Sequence, residues 1–182
     1  MTDRRTLTPQ DWIDAAFRAL TDEGPKGIRA EALARSLQVS KGSFYWHFAD
    51  VPALKSAMLA HWEAAATDEI AGEADASPPA DRIRRFVEAA TADDPDAYGG
   101  RAAEPALREW GRADPAAAEA LARVESRRLG YLKDLMLAAN AKQPGRAARL
   151  LYAALIGMEA LPRQDAEDTR KDLTLLLKRL LP

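Results

Sequence analysis

Apolar residues recur every three or four positions along most of the chain, the spacing expected of helices that bury one face. In the first such run, Ile13, Phe17 and Leu20 follow Thr8-Pro9, an N-cap residue and a proline suited to the first helical turn. No stretch alternates apolar and polar residues in the way that a half-buried strand does. The pattern therefore predicts an all-α fold of about nine helices.

Two short helices joined by a tight turn are predicted just after the first helix. A break containing glycine and proline ends the first helix, and the second runs from about Ile28 to Leu37. Only Gln38 and Val39 separate the second helix from Ser40, whose hydroxyl is expected to cap the third helix. This is the layout of a helix-turn-helix.

The stretch from Val39 to Phe48 separates apolar from polar side chains when it is wound as a helix. Phe44 and Phe48 lie four positions apart and therefore face the same way, toward a core. Gly42 leaves the backbone bare enough for another molecule to approach closely. The hydrogen-bonding side chains on the remaining surface are those of Ser40, Lys41, Ser43, Tyr45 and His47. Such a helix can rest on a core while it touches a polyanion.

Further helices are predicted through the rest of the chain. A long helix runs from about Val51 to Ala71, and polar, proline-containing breaks follow near residues 72–79 and 93–100. Asp114-Pro115 is expected to cap a second long helix.

The last two predicted helices carry a broad apolar stripe. Its members are Leu151, Leu155 and Met158 on the first of the two and Leu173, Leu176, Leu177 and Leu180 on the second. The pattern fits an intramolecular core and a dimeric four-helix bundle about equally well.

The composition is that of an ordinary soluble globular protein. The 182 residues are 47% apolar and 30% charged, and the net charge is −2. Residues 1–61 carry a net charge of +1, which leaves −3 for the remainder. The net charge therefore gives no argument for nucleic-acid binding, which has to rest on where individual cations lie.

Several functional classes are disfavoured by the residues that are absent. Cysteine is missing, which excludes disulfides and thiolate metal sites. With two histidines and neither a glycine-rich phosphate loop nor a G-x-S-x-G motif, we expect no enzyme, no metal and no cofactor. Neither a membrane-length apolar run nor a signal peptide is recognisable, so a cytoplasmic location without membrane contact is expected.

From about residue 8 to residue 62 the sequence resembles the DNA-binding domain of the TetR family of bacterial transcriptional regulators. The resemblance rests on a capped first helix, a second helix, a tight turn and the run from Ser40 to Phe48. A Lys-Gly-Ser/Thr-apolar-Tyr-aromatic-His/Tyr-Phe order at this distance from the N-terminus is typical of the family. The rest of the chain is similar to the family only in being helical and of the expected length.

The resemblance implies a ligand-responsive regulator, most often a repressor, that binds a palindromic double-stranded DNA operator as a homodimer. It implies a DNA-binding domain over residues 1–50, a connecting helix over 51–71, and a domain for ligand binding and dimerisation over 72–182. A small-molecule effector is implied as a second partner. The leucine stripe then becomes the dimer interface.

Carried over position by position, the resemblance assigns DNA contacts to Arg29, Ser40, Lys41, Gly42, Ser43, Tyr45 and His47. Ser40 and His47 are expected to hold phosphates, and the others on the third helix to lie nearer the base edges. For Trp46 the resemblance leaves two alternatives open, packing in the core and contact with the DNA backbone.

Two positions depart from the family pattern. Val51 stands where a lysine commonly grips a phosphate, and Lys55, one turn further on, is expected to replace that contact. Gln38 stands in the turn where glycine is common, and a left-handed backbone there carries strain on the order of 1 kcal/mol. An alternative interpretation is a protein-interaction module that keeps the fold and has lost specific DNA binding, and Val51 is its main support.

A ligand pocket is expected among large side chains on the helices that form the pocket in this family. The candidates are Trp62, Phe86, Tyr98, Trp110, Tyr131 and Met136. Aromatic residues at helical spacing are also typical of a plain core.

Overall fold

The computed structural model describes residues 7–71, 78–91, 103–161 and 166–182. Within these ranges all regular structure is helical, which confirms the predicted all-α fold. A short 3₁₀ turn spans Pro25–Gly27. The α-helices are α1 Pro9–Glu23, α2 Ala30–Ser36, α3 Lys41–Phe44, α4 Val51–Ala71, α5 Pro79–Ala90, α6 Ala103–Gly111, α7 Pro115–Ala138, α8 Pro144–Ala160 and α9 Ala166–Leu180.

Helix α1 begins and ends where its local sequence predicts. The Thr8 hydroxyl accepts a hydrogen bond from the Asp11 amide, and the Asp11 carboxylate accepts one from the Thr8 amide at 2.7 Å. At the other end Gly24 takes a φ of 71° and donates its N–H to the carbonyl of Leu20 at 2.9 Å. Because positive φ favours glycine, the helix ends at this residue.

The contacts divide the chain into two compact units. The first comprises Met1–Ala64 and Asp94–Leu121, and the second comprises Ala65–Asp93 and Ala122–Pro182. The division of the sequence into functional segments at residues 50 and 72 stays a prediction. Among the described helices, none combines the length and the apolarity that crossing a bilayer requires.

The first unit has a core built around large aromatic and aliphatic side chains. Its fully buried members include Trp12, Phe17, Leu20, Leu33, Phe44, Leu54, Met58, Trp62, Leu107 and Trp110. Helix α1 packs against α2 and against α6. This core supports the helix-turn-helix from beneath.

Asp114 caps α7, as the sequence predicts. Its Oδ1 accepts the amides of Ala116 and Ala117 at 3.0 and 3.2 Å, and its Oδ2 accepts the Trp110 indole N–H at 3.0 Å. The pKa of this carboxyl lies below its ordinary value. Partial burial alone would raise the pKa, but its effect is outweighed by the hydrogen bonds from Ala117, Trp110 and Ala116 and by the charge of Lys55.

The second unit has its own core, formed by α5, α7, α8 and α9. It contains Ile83, Phe86, Leu132, Leu135, Met136, Leu151, Tyr152, Leu155, Leu173 and Leu177. Four of the seven residues predicted for the dimer interface, Leu151, Leu155, Leu173 and Leu177, are therefore buried inside their own unit. The other three, Met158, Leu176 and Leu180, are half-buried. Much of the leucine stripe thus serves as intramolecular core.

Candidate nucleic-acid interface

The turn between α2 and α3 has the left-handed conformation expected from the sequence. Gln38 takes a φ of 56°, one of two non-glycine residues with positive φ in the described chain. Its N–H donates to the Arg35 carbonyl at 3.1 Å, and the Val39 N–H donates to the Ala34 carbonyl at 2.9 Å. These bonds close α2 and hold the strained turn in place.

Both helices of the motif are shorter than predicted. Helix α2 begins at Ala30 and not at Ile28, because the 3₁₀ turn ends at Gly27 and Arg29, the N-cap residue, has an extended backbone. Helix α3 ends at Phe44, although the pattern predicted helix to Phe48. The chain continues as hydrogen-bonded turns, in which the Phe48 N–H donates to the Phe44 carbonyl at 3.0 Å.

The prediction that the Ser40 hydroxyl caps α3 is wrong. Ser40 occupies the N-cap position with an extended backbone, but its side chain makes no capping hydrogen bond. The amide of Ser43, which such a hydroxyl would normally satisfy, already donates to the Ser40 carbonyl at 3.0 Å. Ser40 itself is exposed.

The apolar face of α3 packs as predicted. Phe44 is fully buried, and Phe48 is 9% exposed. The Phe44 ring meets Trp12 edge-on, with centroids 5.4 Å apart, and lies 5.8 Å from Phe48. This packing fixes which side of α3 faces away from the protein.

The opposite face of α3 exposes the residues assigned to DNA. Ser40, Lys41 and Gly42 are exposed, and Ser43 and His47 are half-buried. These five residues therefore lie together beside one short helix.

Tyr45 and Trp46 follow α3 with their aromatic rings open to solvent. Tyr45 is 54% exposed, and Trp46 is 88% exposed. The hypothesis that Trp46 belongs to the core is therefore wrong. The hydrogen-bonded turn that replaces helix after Phe44 directs this indole outward.

Each of the two cations assigned to the motif is paired with an acid. The Arg29 guanidinium lies 3.6 Å from the Glu23 carboxylate, and the Lys41 ammonium donates to the Glu31 carboxylate. This hydrogen bond and the attraction between the charges raise the pKa of Lys41. The same hydrogen bond is the largest influence lowering the pKa of Glu31. The acids were not identified from the sequence, since Glu31 and Lys41 lie ten positions apart.

The start of α4 lacks the lysine that commonly contacts a phosphate at this position in the TetR family. Val51 is half-buried, and α4 is capped by Asp50, whose carboxylate accepts the Ala53 amide at 2.7 Å. The Lys55 ammonium lies 5.4 Å from the centroid of the Trp110 ring. A phosphate contact from Lys55 would compete with this contact.

The candidate ligand residues do not form one described cluster. Trp62 and Trp110 belong to the first unit, where the Trp62 indole donates to the Glu104 carboxylate at 3.1 Å. Phe86, Tyr131 and Met136 belong to the second unit and line or pack against its core. Tyr98 lies outside the described residues.

The second unit contains two polar groups that the sequence did not single out. The Tyr152 hydroxyl is buried and has no hydrogen-bond partner among the described residues. The Arg82 guanidinium lies 5.6 Å from the Tyr131 ring centroid and contacts the Tyr131 hydroxyl at 3.4 Å. No local sequence signal marks a hydroxyl as unsatisfied, because that depends on the packing around it.

Comparison with known proteins agrees with this architecture. Residues 13–54 match the sequence model described as "Bacterial regulatory proteins, tetR family". The model describes transcription regulators and not enzymes, and it covers the helix-turn-helix of this chain. No curated protein matches the chain at the sequence level.

Solved structures share the fold at low sequence identity. A Rhodococcus sp. protein assigned to the TetR family is 23% identical, with a TM-score of 0.79 over 96% of this chain and 98% of that one. A Saccharomonospora viridis protein solved in complex with choline is 14% identical, with a TM-score of 0.82 over 95% and 96%. Reduced E. coli NemR is 17% identical, with a TM-score of 0.75 over 96% and 97%. Residues 13–54 thus form a TetR-family DNA-binding domain, and the chain has the all-helical fold of TetR-family transcriptional regulators.

Proposed function

We propose that this protein is a ligand-responsive transcriptional repressor that binds a palindromic operator as a homodimer. The exposed face beside α3 is the observation that carries the proposal. Hydrogen-bond donors and two aromatic rings lie on the side opposite to the buried Phe44, so they can approach DNA without unfolding the motif.

The residues beside α3 divide by the part of DNA that each can reach. Lys41, Ser43 and Tyr45 are proposed to contact base edges, together with the bare backbone of Gly42. Arg29, Ser40, Trp46 and His47 are proposed to contact the sugar-phosphate backbone and so fix the position of the helix. Lys55 is proposed to join them in competition with its contact to Trp110.

Dimerisation is proposed to use the outer face of α8 together with the half-buried residues of the leucine stripe. Leu150 and Leu161 are 56% and 50% exposed, and the exposed Ala153 and Gly157 lie between them at helical spacing. Small residues between two leucines allow another helix to approach closely. Two copies related by a two-fold axis would present their α3 helices to half-sites about 34–36 Å apart.

Effector binding is proposed to occur in the second unit. Its core contains Phe86 and the Tyr152 hydroxyl, which has no partner among the described residues, and the half-buried side chains of Arg82 and Tyr131 contact each other. A structural relative has been solved with choline, which supports a small-molecule site in this fold. An effector that favours the dimer with the wrong spacing of its α3 helices would release the operator by a population shift.

A salt titration of DNA binding tests the proposal. We expect the full-length protein to retard a duplex from the region upstream of its own gene, with an affinity that falls steeply as salt is raised. Scrambling one half of the bound palindrome should abolish the specific complex. Binding that ignores both salt and sequence would contradict the proposal.

The dimer is tested separately by light scattering. Leu150→Glu should convert the dimer to a monomer, because it places a charge on the proposed interface. Leu137→Glu is the matched control, since Leu137 is 60% exposed on α7. A dimer that survives Leu150→Glu would show that the interface lies elsewhere.

A second candidate function is a protein-interaction module with the same fold. It is favoured by Val51, which offers no charge to a phosphate, and by the engagement of Lys55 with Trp110. Its expected result in the titration is a folded dimer that retards no duplex.

A further inference from the structure

Two of the three lysine and arginine residues assigned to DNA contact, Arg29 and Lys41, are paired with carboxylates of the same unit. Glu31 lies in the first turn of α2 and Lys41 is the first residue of α3, so their ion pair spans the turn of the motif. Arg29 precedes α2 and pairs with Glu23 at the end of α1. The four side chains are 49–64% exposed, so DNA can reach them.

These pairs are poorly placed to stabilise the fold. Exposed ion pairs contribute little, because water screens the attraction and ordering two long side chains costs entropy. The hydrogen bond to Glu31 nevertheless raises the pKa of Lys41, so it favours the charged lysine. The main consequence of these pairs is therefore for the binding of Lys41 and Arg29 to other anions, such as DNA phosphates.

A carboxylate beside a DNA-facing cation opposes DNA binding in two ways. A phosphate has to displace the carboxylate before it can bind the cation. Each cation that stays paired also neutralises no phosphate, so fewer counterions are released.

We propose that Glu31 and Glu23 limit sequence-independent DNA binding, in which Lys41 and Arg29 contact phosphates and not base edges, by holding both cations in ion pairs that a phosphate has to break. This inference rests on the proposed DNA-binding function. It adds two acidic residues to the determinants of affinity, neither of which contacts DNA itself.

The test measures binding of the full-length protein to a labelled mixed-sequence duplex by fluorescence anisotropy over a series of salt concentrations. Glu31→Gln should tighten binding about two- to fivefold for each bound protomer, the range expected for an exposed ion pair. It should also steepen the dependence of log affinity on log salt by about 0.9 per protomer. Glu23→Gln should act in the same direction and more weakly, because its pair is longer.

Glu119→Gln is the matched control. Glu119 is exposed on α7 in the same unit, and the substitution makes the same change in net charge. Equal effects of Glu31→Gln and Glu119→Gln would overturn the inference, since net charge alone would then explain the gain. Weaker binding by Glu31→Gln would also overturn it, because Glu31 would then position Lys41 for DNA.

A double-mutant cycle separates release of Lys41 from direct repulsion by Glu31. In a Lys41→Gln background the gain from Glu31→Gln should fall to that of Glu119→Gln. A gain that persists would overturn the proposed pairing. If the wild-type protein and all variants fail to bind any duplex, the DNA-binding function fails, whereas unequal behaviour of binding proteins concerns the ion pairs alone.

Discussion

The aromatic residues around α3 and those of the second unit differ in how they are buried. Around α3, Phe44 faces inward while Tyr45 and Trp46 face solvent. In the second unit Phe86 and Tyr152 are buried, and Tyr131 is half-buried beside them. Around α3, the aromatic residues that pack the core differ from those available to bind DNA. In the second unit the same aromatic residues could pack the core and bind an effector. Substitutions are needed there to distinguish the two roles.

The largest expected effect comes from Phe44→Ala. Removing this buried ring should lower the free energy of unfolding by about 3–5 kcal/mol in a urea titration, because it leaves a cavity against Trp12. A near-neutral result would contradict the separation of faces around α3.

Tyr45→Ala should have the opposite profile. Losing a base contact should weaken operator binding by about 1–3 kcal/mol. The free energy of unfolding should change by no more than about 0.5 kcal/mol, since the ring is exposed. Tyr45→Phe is the control that keeps the ring and removes the hydroxyl. A melting temperature of Tyr45→Ala far below that of the wild-type protein would show that this ring belongs to the core.

Asp114→Ala tests a polar group with a purely structural role in the first unit. It should lower the free energy of unfolding by about 1–2 kcal/mol through loss of the α7 cap. Because the pKa of Asp114 is lowered by folding, its charged form contributes stability above the ordinary aspartate pKa. That contribution is lost as the pH falls through the lowered value in the folded protein.

The acid dependence of Asp114→Ala is measurable by urea titrations at several pH values. The difference in the free energy of unfolding between Asp114→Ala and the wild-type protein should narrow in this acid range and stay constant near neutrality. Asp114→Asn keeps an acceptor for the α7 amides and should lose less stability than Asp114→Ala. A difference that grows on acidification would contradict the assignment.

Tyr152→Phe should give the smallest change and the clearest test of the second unit. Removing a buried hydroxyl that has no partner in the described part of the chain should leave the free energy of unfolding unchanged or raise it by about 1 kcal/mol. If the hydroxyl holds an effector, isothermal titration with that effector should show weaker binding by this stable variant. A destabilised variant would mean that the hydroxyl has a structural partner.

The features that the sequence predicted correctly depend on neighbouring residues. Thr8 and Asp114 cap helices through amides within three positions, and Phe44 and Phe48 share a face because they lie one turn apart. Gln38 takes its left-handed backbone inside a turn of fixed length. Local geometry decides all of these outcomes.

The features that the sequence missed depend on contacts between distant elements. Lys41 meets Glu31 only because the turn folds α3 back on α2, and Lys55 meets Trp110 only once α6 is in place. The missing Ser40 cap is a local exception, because the Ser43 amide donates to the Ser40 carbonyl in an α3 that is one turn long where the amphipathic pattern predicted a longer helix. The fold was therefore more predictable than the pairing of its charged groups.

The exposure of Trp46 gives this protein a built-in optical probe. The other three of its four tryptophans, Trp12, Trp62 and Trp110, are at most 1% exposed. Acrylamide in solution should therefore quench mainly the Trp46 emission, and a molecule that covers α3 should shield it. Occupancy of this surface can be followed by intrinsic fluorescence, without a dye, and Trp46→Phe supplies the blank.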